Sequence, residues 1–309
     1  MSAAASPRRC RDFRTDYHQE MTWFPSPRSA AACAIGLALL ALAPAALGGY
    51  GLALLIQIGY LGIAALGLNL VTGFTGQISL GHAAFFGFGA FASAWLSNRH
   101  GVPVLLAMPA AGVLTALVGL VFGAPAARIK GLYLAIATLA AQYILEDFFN
   151  RATWFTGGAA GANAQPANLY GFVFSGDVRY FYLVVAAVVA MFGFAANLMR
   201  TRDGRAMVAV RDHYLAAEIM GIPLARYRVL AFGLASFYAG VAGALMGHYV
   251  GFVSTESINI LLSVQMLGMI IIGGMGSIMG SLLGAAFMVL MPEAVDALRL
   301  TRLLERGGR

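Results

Sequence analysis

Nine apolar runs, near 29–48, 50–70, 83–98, 103–126, 131–148, 179–199, 229–249, 259–275 and 281–298, follow one another along the chain, separated by short polar breaks. A helix needs about 20 apolar residues to cross a hydrocarbon core of roughly 30 Å, so each run has about the length of one membrane span. None alternates every second residue, as the strands of a membrane barrel would. The pattern predicts an all-α, polytopic membrane bundle of about nine transmembrane helices over 29–298, preceded by a polar tail, 1–28. Two longer polar segments, 150–178 and 200–228, interrupt it, and an arginine-rich tail, 299–309, ends it. The glycine-rich piece 73-GFTGQISLGH-82 is either a loop or a segment that dips back into the membrane.

Composition agrees with a membrane chain. Of the 309 residues 60% are hydrophobic and only 11% charged, with a mean hydropathy of +0.78, outside the range of soluble domains. The basic residues are 19 arginines and a single lysine, Lys130. With the N-terminus inside, thirteen of them fall in cytosolic segments and three, Arg99, Arg151 and Arg179, outside, which is the bias that sets membrane orientation. The net charge of +7 therefore reports topology and contact with anionic lipid, and gives no reason to invoke nucleic acid. The four arginines of 299–309 disagree: nine spans place them outside. Cys10 and Cys33 offer neither a disulfide framework nor a metal site.

Residues 200–228 stand out for charge. Asp203 reads as an N-cap, 205–220 as a helix, and Gly221 with Pro223 as its stop. Charge alone describes a solvated loop carrying topogenic arginines. Ala216, Ala217 and Gly221 add small side chains at fixed spacing, around which another protein's groove can close.

Two glycine breaks, 73-GFTGQIS-79 and 273-GGMGSIM-279, each lie between long apolar runs. They suggest an internal repeat with discontinuous helices lining a path, or else close helix packing, which is the reading for the ladder Gly276, Gly280, Gly284. The first break is rich in polar groups. Ser79 reads as the cap of a helix beginning near Gly81, leaving N–H groups suited to a carboxylate, with Thr75, Gln77 and His82 beside it. Asn69, Gln142 and Gln265, together with Gln57 and Thr138, are uncharged polar residues in apolar spans, serving interhelical hydrogen bonds or the translocation path.

Several chemistries lack their residues. All thirteen acidic residues fall in tails, loops or the outer turns of spans, where an ion-coupled carrier commonly needs one at depth. The five histidines, His18, His82, His100, His213 and His248, show no metal or catalytic spacing, so no catalytic, metal or cofactor residues are assigned. A phosphate-binding loop needs G-K-[ST], and Lys130 lies in 129-IKG-131; any ATP would be used elsewhere.

The segments 67-GLNLVTGFTGQISLGHAAFFGFGAF-91, 129-IKGLYLAIATLA-140, 204-GRAMVAVRDHYLAAEIMGI-222, 231-AFGLASFYAGVAGAL-245 and 270-IIIGGMGSIMGSLLGAA-286 resemble the permease subunits of ABC importers for branched-chain amino acids. The resemblance covers most of 50–295. It implies a multi-pass protein of the bacterial inner membrane, N-terminus cytosolic, paired with a homologous permease subunit, two ATPases that use ATP and Mg, and an external solute-binding protein landing on 150–178. It also implies that the helix of 204–222 docks on an ATPase through Arg205, Arg211, Asp212, Leu215, Ala216, Ala217, Glu218, Gly221 and Pro223. Leu215 departs from the glutamate of the general importer pattern. Branched-chain amino acids are the implied substrates; urea, short amides and other small solutes are carried by related permeases. Members usually continue past Pro292-Glu293 into another apolar helix, so the resemblance implies a chain shortened or altered at its C-terminal end.

Overall fold

A computed structural model describes residues 27–307 except 130, 170–171 and 175. Most of the N-terminal tail, with Cys10, and Lys130 lie outside the described residues, as do the side chains of Cys33 and of 297–309. The chain divides between Ala43 and Pro44 into two units. The first contributes most of one helix, α1 (Pro27–Ala46). The second holds α2 (Gly49–Thr75), α3 (His82–His100), α4 (Val104–Gly123), α5 (Leu132–Arg151), α6 (Asp177–Arg200), α7 (Arg202–Asp212), α8 (Tyr214–Ile219), α9 (Leu224–Val250), α10 (Ile260–Gly273) and α11 (Ile278–Gly307).

Among the described residues, seven helices are long and apolar enough to cross a membrane: α2, α4, α5, α6, α9, Thr255–Gly273 and the first part of α11 to Asp296. The protein is a polytopic α-helical membrane protein, but the expected count of nine is not established. The run 83–98 does form a helix, α3, which is not among the seven. It carries Ser93, Ser97 and Asn98, and it needs little apolar surface because α4 and α9 pack along it. The run 29–48 falls in α1.

Two helices form the centre. α2 and α9 each have 27 residues, and 67% and 72% of their apolar windows are buried, against 28–39% for the other five. At 1.5 Å per residue each is about 40 Å long, more than a bilayer's hydrocarbon core. Lipid gives no hydrophobic drive between helices, so contact depends on close backbone approach at small residues. A Cβ on Gly89 of α3 would strike the backbone of Gly240 of α9, and one on Gly243 would strike the Phe86 carbonyl. α10 has only 14 residues, or about 21 Å. It turns through 274–277 and returns as α11, with Gly280 and Gly284 of α11 pressed on the carbonyls of Gly273 and Met269. The expected ladder is thus partly realised, for Gly276 lies in the turn at φ 81°.

At the end opposite residues 200–228, here the hairpin end, the segment 150–178 is more ordered than a glycine-rich connection suggests. Its strand β1 (Ala162–Asn163) pairs antiparallel with β4 (Phe252–Val253), and β2 (Asn168–Leu169) with β3 (Phe172–Val173). Trp154 is 63% exposed, at the edge of an aromatic group that includes Trp95 and Phe155.

Gly89→Leu should destabilise the detergent-solubilised protein by about 1–3 kcal/mol through overpacking. Val121→Ala, at a site 71% exposed, should change it by less than about 0.5 kcal/mol. Thermal melting of the two variants tests this, and equal melting would show that the central crossing is loose.

Candidate functional site

The two glycine breaks, 200 residues apart in sequence, meet in space. Asn69, fully buried in the last third of α2, joins them. Its Oδ1 accepts from the Gly276 N–H at 2.8 Å, and its Nδ2 donates to the Ser277 carbonyl and to Ser281 Oγ, both at 2.8 Å. One acceptor and two donors are all used, and the backbone partners allow only this amide orientation. The fit is close: a Cβ on Gly73 would strike both the Asn69 side chain and the Gly276 nitrogen.

Beyond Thr75 the chain leaves helix and runs back into the bundle over 76–81, which decides between loop and re-entrant segment in favour of the second. Gly76 closes α2 in the left-handed conformation, φ 70°, with its N–H on the Val71 carbonyl. Thr75 Oγ1 donates to the same carbonyl at 2.6 Å, and Gln77 Nε2 donates to Thr75 Oγ1 at 2.8 Å and to the Arg228 carbonyl at 3.5 Å. Buried Gln77 and Ser79 alternate with exposed Gly76 and Ile78.

The expected cap of α3 is overturned. Gly81, not Ser79, is the N-cap residue, and no side chain on the segment itself caps the helix. The orphan N–H groups are taken by neighbouring helices: Ala83 N–H donates to Ser263 Oγ of α10 at 2.8 Å, and Ala84 N–H to Gln142 Oε1 of α5 at 2.9 Å. Leu80 N–H donates to Thr138 Oγ1 at 3.0 Å. Gln142 Nε2 donates in turn to the Ile258 carbonyl at 3.3 Å. His82 Nε2–H donates to the Ala64 carbonyl at 3.0 Å, which puts the start of α3 level with the middle of α2. In this conformation these two N–H groups are not available to a carboxylate. Gln265 is half-buried and makes no hydrogen bond among the described residues.

Residues 200–228 also differ from their expected form. Thr201, not Asp203, is the N-cap, with its Oγ1 accepting from the Gly204 N–H at 3.3 Å. Asp203 instead accepts from the Tyr227 hydroxyl at 3.2 Å. The single expected helix is broken at His213 into α7 and α8, and His213 Nδ1 caps α8 by accepting from the Ala216 N–H at 3.2 Å. Met207 anchors α7 in a buried cluster with Val71, Leu134 and Phe232. Ala217 packs inward against Val210 and Leu224. Gly221 turns the chain at φ 84° with open space around it, and Pro223 stands just before α9. Ala216, Asp212 and Glu218 face outward, and Leu215, Ile219 and Met220 are 51%, 86% and 82% exposed. Arg205 Nη1 donates to the Arg200 carbonyl at 2.7 Å. Arg211, itself 37% exposed, bridges the two sides: Nε donates to Asp212 Oδ1 and Nη1 to the Gly73 carbonyl, both at 2.9 Å.

Residues 50–304 match the profile of a family described as branched-chain amino acid transport system, permease component. The chain belongs to this permease family. The high-affinity branched-chain amino acid transport system permease proteins LivM of Salmonella typhimurium and Escherichia coli are each 32% identical to it over 270 residues, 80% of this chain and 64% of theirs. The permease thus spans less than two thirds of the length of these relatives. An autoinducer 2 import system permease protein, LsrC of an Enterobacter species, is 31% identical over 111 residues, 34% of this chain and 32% of its own. No solved structure matches the permease.

Sequence reading missed Ser263, Ser277 and Ser281 of the permease, because a serine in an apolar run gives no sign of which backbone it will reach. Removing the Asn69 amide leaves the part-buried Gly276 N–H without its acceptor and the buried Ser281 hydroxyl with only the Ser277 carbonyl, at 3.4 Å. Asn69→Ala should therefore cost about 1–3 kcal/mol. In a double-mutant cycle with Ser281→Ala, followed by thermal melting, a coupling of about 0.5 kcal/mol or more is expected; additive losses would refute the clamp.

Proposed function

We propose that this chain is the membrane-spanning subunit of an ATP-binding cassette importer of the bacterial inner membrane, carrying branched-chain amino acids. Its N-terminus and residues 200–228 face the cytosol, by the arginine bias. A homologous permease subunit completes the path, two ATPase subunits supply the work with ATP and Mg, and an external solute-binding protein delivers substrate at the hairpin end. The chain itself binds no cofactor and carries no catalytic residue in this reading. The substrate class rests on family membership and on what the LivM relatives are named for.

The observation that carries the reading is the tip of residues 200–228. Leu215 and Ile219 on α8, and Met220 just after it, are largely exposed, while Met207 and Ala217 anchor the same segment inward. Exposed apolar side chains on an anchored, basic loop suit a groove on another protein, with the flanking charges of Arg205, Asp212 and Glu218 guiding register. The ATPase is the partner this segment would meet on the cytosolic side. Ala216 lies on that outward surface, whereas Ala217 packs from within and the exposed Gly221 and Pro223 shape the turn into α9.

Vesicles holding the permease with its partner subunits should take up leucine only with internal or external ATP on the ATPase side. Uptake that persists without ATPase and follows a proton gradient would refute the importer reading. Ile219→Asp with Met220→Asp should weaken ATPase co-purification at least about tenfold, a loss of roughly 1.4 kcal/mol or more. Membrane insertion and melting should be unchanged, since both side chains are free of the fold; undiminished co-purification would place the docking surface elsewhere.

A further inference from the structure

We infer that Arg211 is a positioning residue that ties the docking segment to both glycine breaks, so that displacement of the tip is passed to the path and not absorbed in the loop. The inference rests on the importer reading and assigns one part of its mechanism.

Arg211 occupies the last turn of α7, two residues before the His213 break from which α8 and the exposed tip follow. Its guanidinium does not face the tip. Nη1 donates to the Gly73 carbonyl, one of the carbonyls in the last turn of α2, at 2.9 Å. Such carbonyls lack helical partners and carry the negative end of the helix dipole, so a guanidinium makes a charge-assisted bond there. Both breaks touch the same side chain. A Cβ on Gly76 would lie 3.1 Å from Arg211 Cγ, and one on Gly276 would lie 2.8 Å from Nη1. The arginine therefore fills a slot walled by one glycine from each break. Asn69, one turn before Gly73, then holds Gly276 and Ser277 to α2. A continuous set of contacts leads from α8 through α7 and Arg211 to the ends of α2 and α10.

The competing role, an ion pair with the ATPase, requires the guanidinium to reach outward. The side chain is 37% exposed, but Nε is engaged by Asp212 and Nη1 by Gly73, so two of its donors are already committed within this chain. A plain helix cap is the other competitor. It would alter stability without altering the amount of transport obtained per ATP.

The test uses the assembled transporter in liposomes, with radiolabelled leucine uptake and ATP hydrolysis measured on the same vesicles. Arg211→Ala should keep ATPase co-purification and hydrolysis within about twofold of wild type, while leucine carried per ATP falls at least about tenfold; Arg211→Lys, which keeps a cationic donor, should recover a substantial part. Unchanged leucine per ATP in Arg211→Ala overturns the tie, and so does loss of ATPase co-purification, which would make Arg211 a docking contact. An inactive wild-type assembly would instead count against the importer reading. A second measurement needs no partner: hydrogen exchange on the purified chain. Arg211→Ala should speed exchange at least about tenfold in both 71–77 and 273–277 and leave 214–220 unchanged. Protection retained in either break would overturn the tie.

Discussion

Inside a membrane, each backbone N–H and C=O that leaves a helix must find a partner within the protein. Among the described residues this permease leaves helix at 76–81, which runs back into the bundle, and at 274–277, the turn between two spans, and much of the rest follows from satisfying the groups set free. Asn69 serves the second break, while Ser263, Gln142 and Thr138 serve the start of α3 after the first. These partners come from α2, α5 and α10, so the breaks are supported by distant parts of the chain. Each such bond is held by the packing of the helix that carries it, which makes the polar cluster and the helix bundle one structure.

The same constraint explains the glycines. Short polar side chains such as asparagine and serine reach a neighbouring backbone only if the helices lie close. Gly73 lets Asn69 fold over its own helix onto Gly276, and Gly280 and Gly284 let α11 lie against α10 so that Ser281 comes within reach of Asn69. An alanine at Gly73 would close the space that the amide occupies. Glycine and polar side chain therefore act as a pair, the one giving the room and the other the bond.

How much of this was legible in the sequence depended on range. Helix positions followed from apolar runs, because span length is a local property. The two breaks were legible as glycine clusters, and Asn69, Gln142, Thr138 and Gln77 as polar residues needing partners. Their partners were not legible: nothing in the local pattern pairs Asn69 with residues about 207 to 212 positions away. Local rules also failed where tertiary contact won. Ser79 has the right type for a cap, yet the caps of α3 come from other helices, and Asp203 yields its expected place to Thr201 because its carboxylate meets Tyr227. In residues 216–221, spacing identified a segment of interest. The burial of Ala217 shows that its small side chain serves packing inside the loop, whereas the exposed surface belongs to the large residues beside it.

That division bears on how work done at the tip would reach the membrane. A loop attached only through its two covalent ends would transmit force to α6 and α9, and slack at Thr201 or Gly221 would dissipate it. The segment has further attachments. Met207 lies in one buried cluster with Val71 of α2 and Phe232 of α9, the two central helices, and Arg211 reaches the last turn of α2. Closely packed interiors are not continuously deformable, so a displaced α7 must carry these neighbours or break contact with them. The central pair is the structure through which a small movement at the loop can reach the whole bundle, since α3, α4, α6 and α11 pack on one or both of its members. On this argument a displacement of the loop would be carried along α2 and α9, with the break after α2 lying beside Arg211 of the loop.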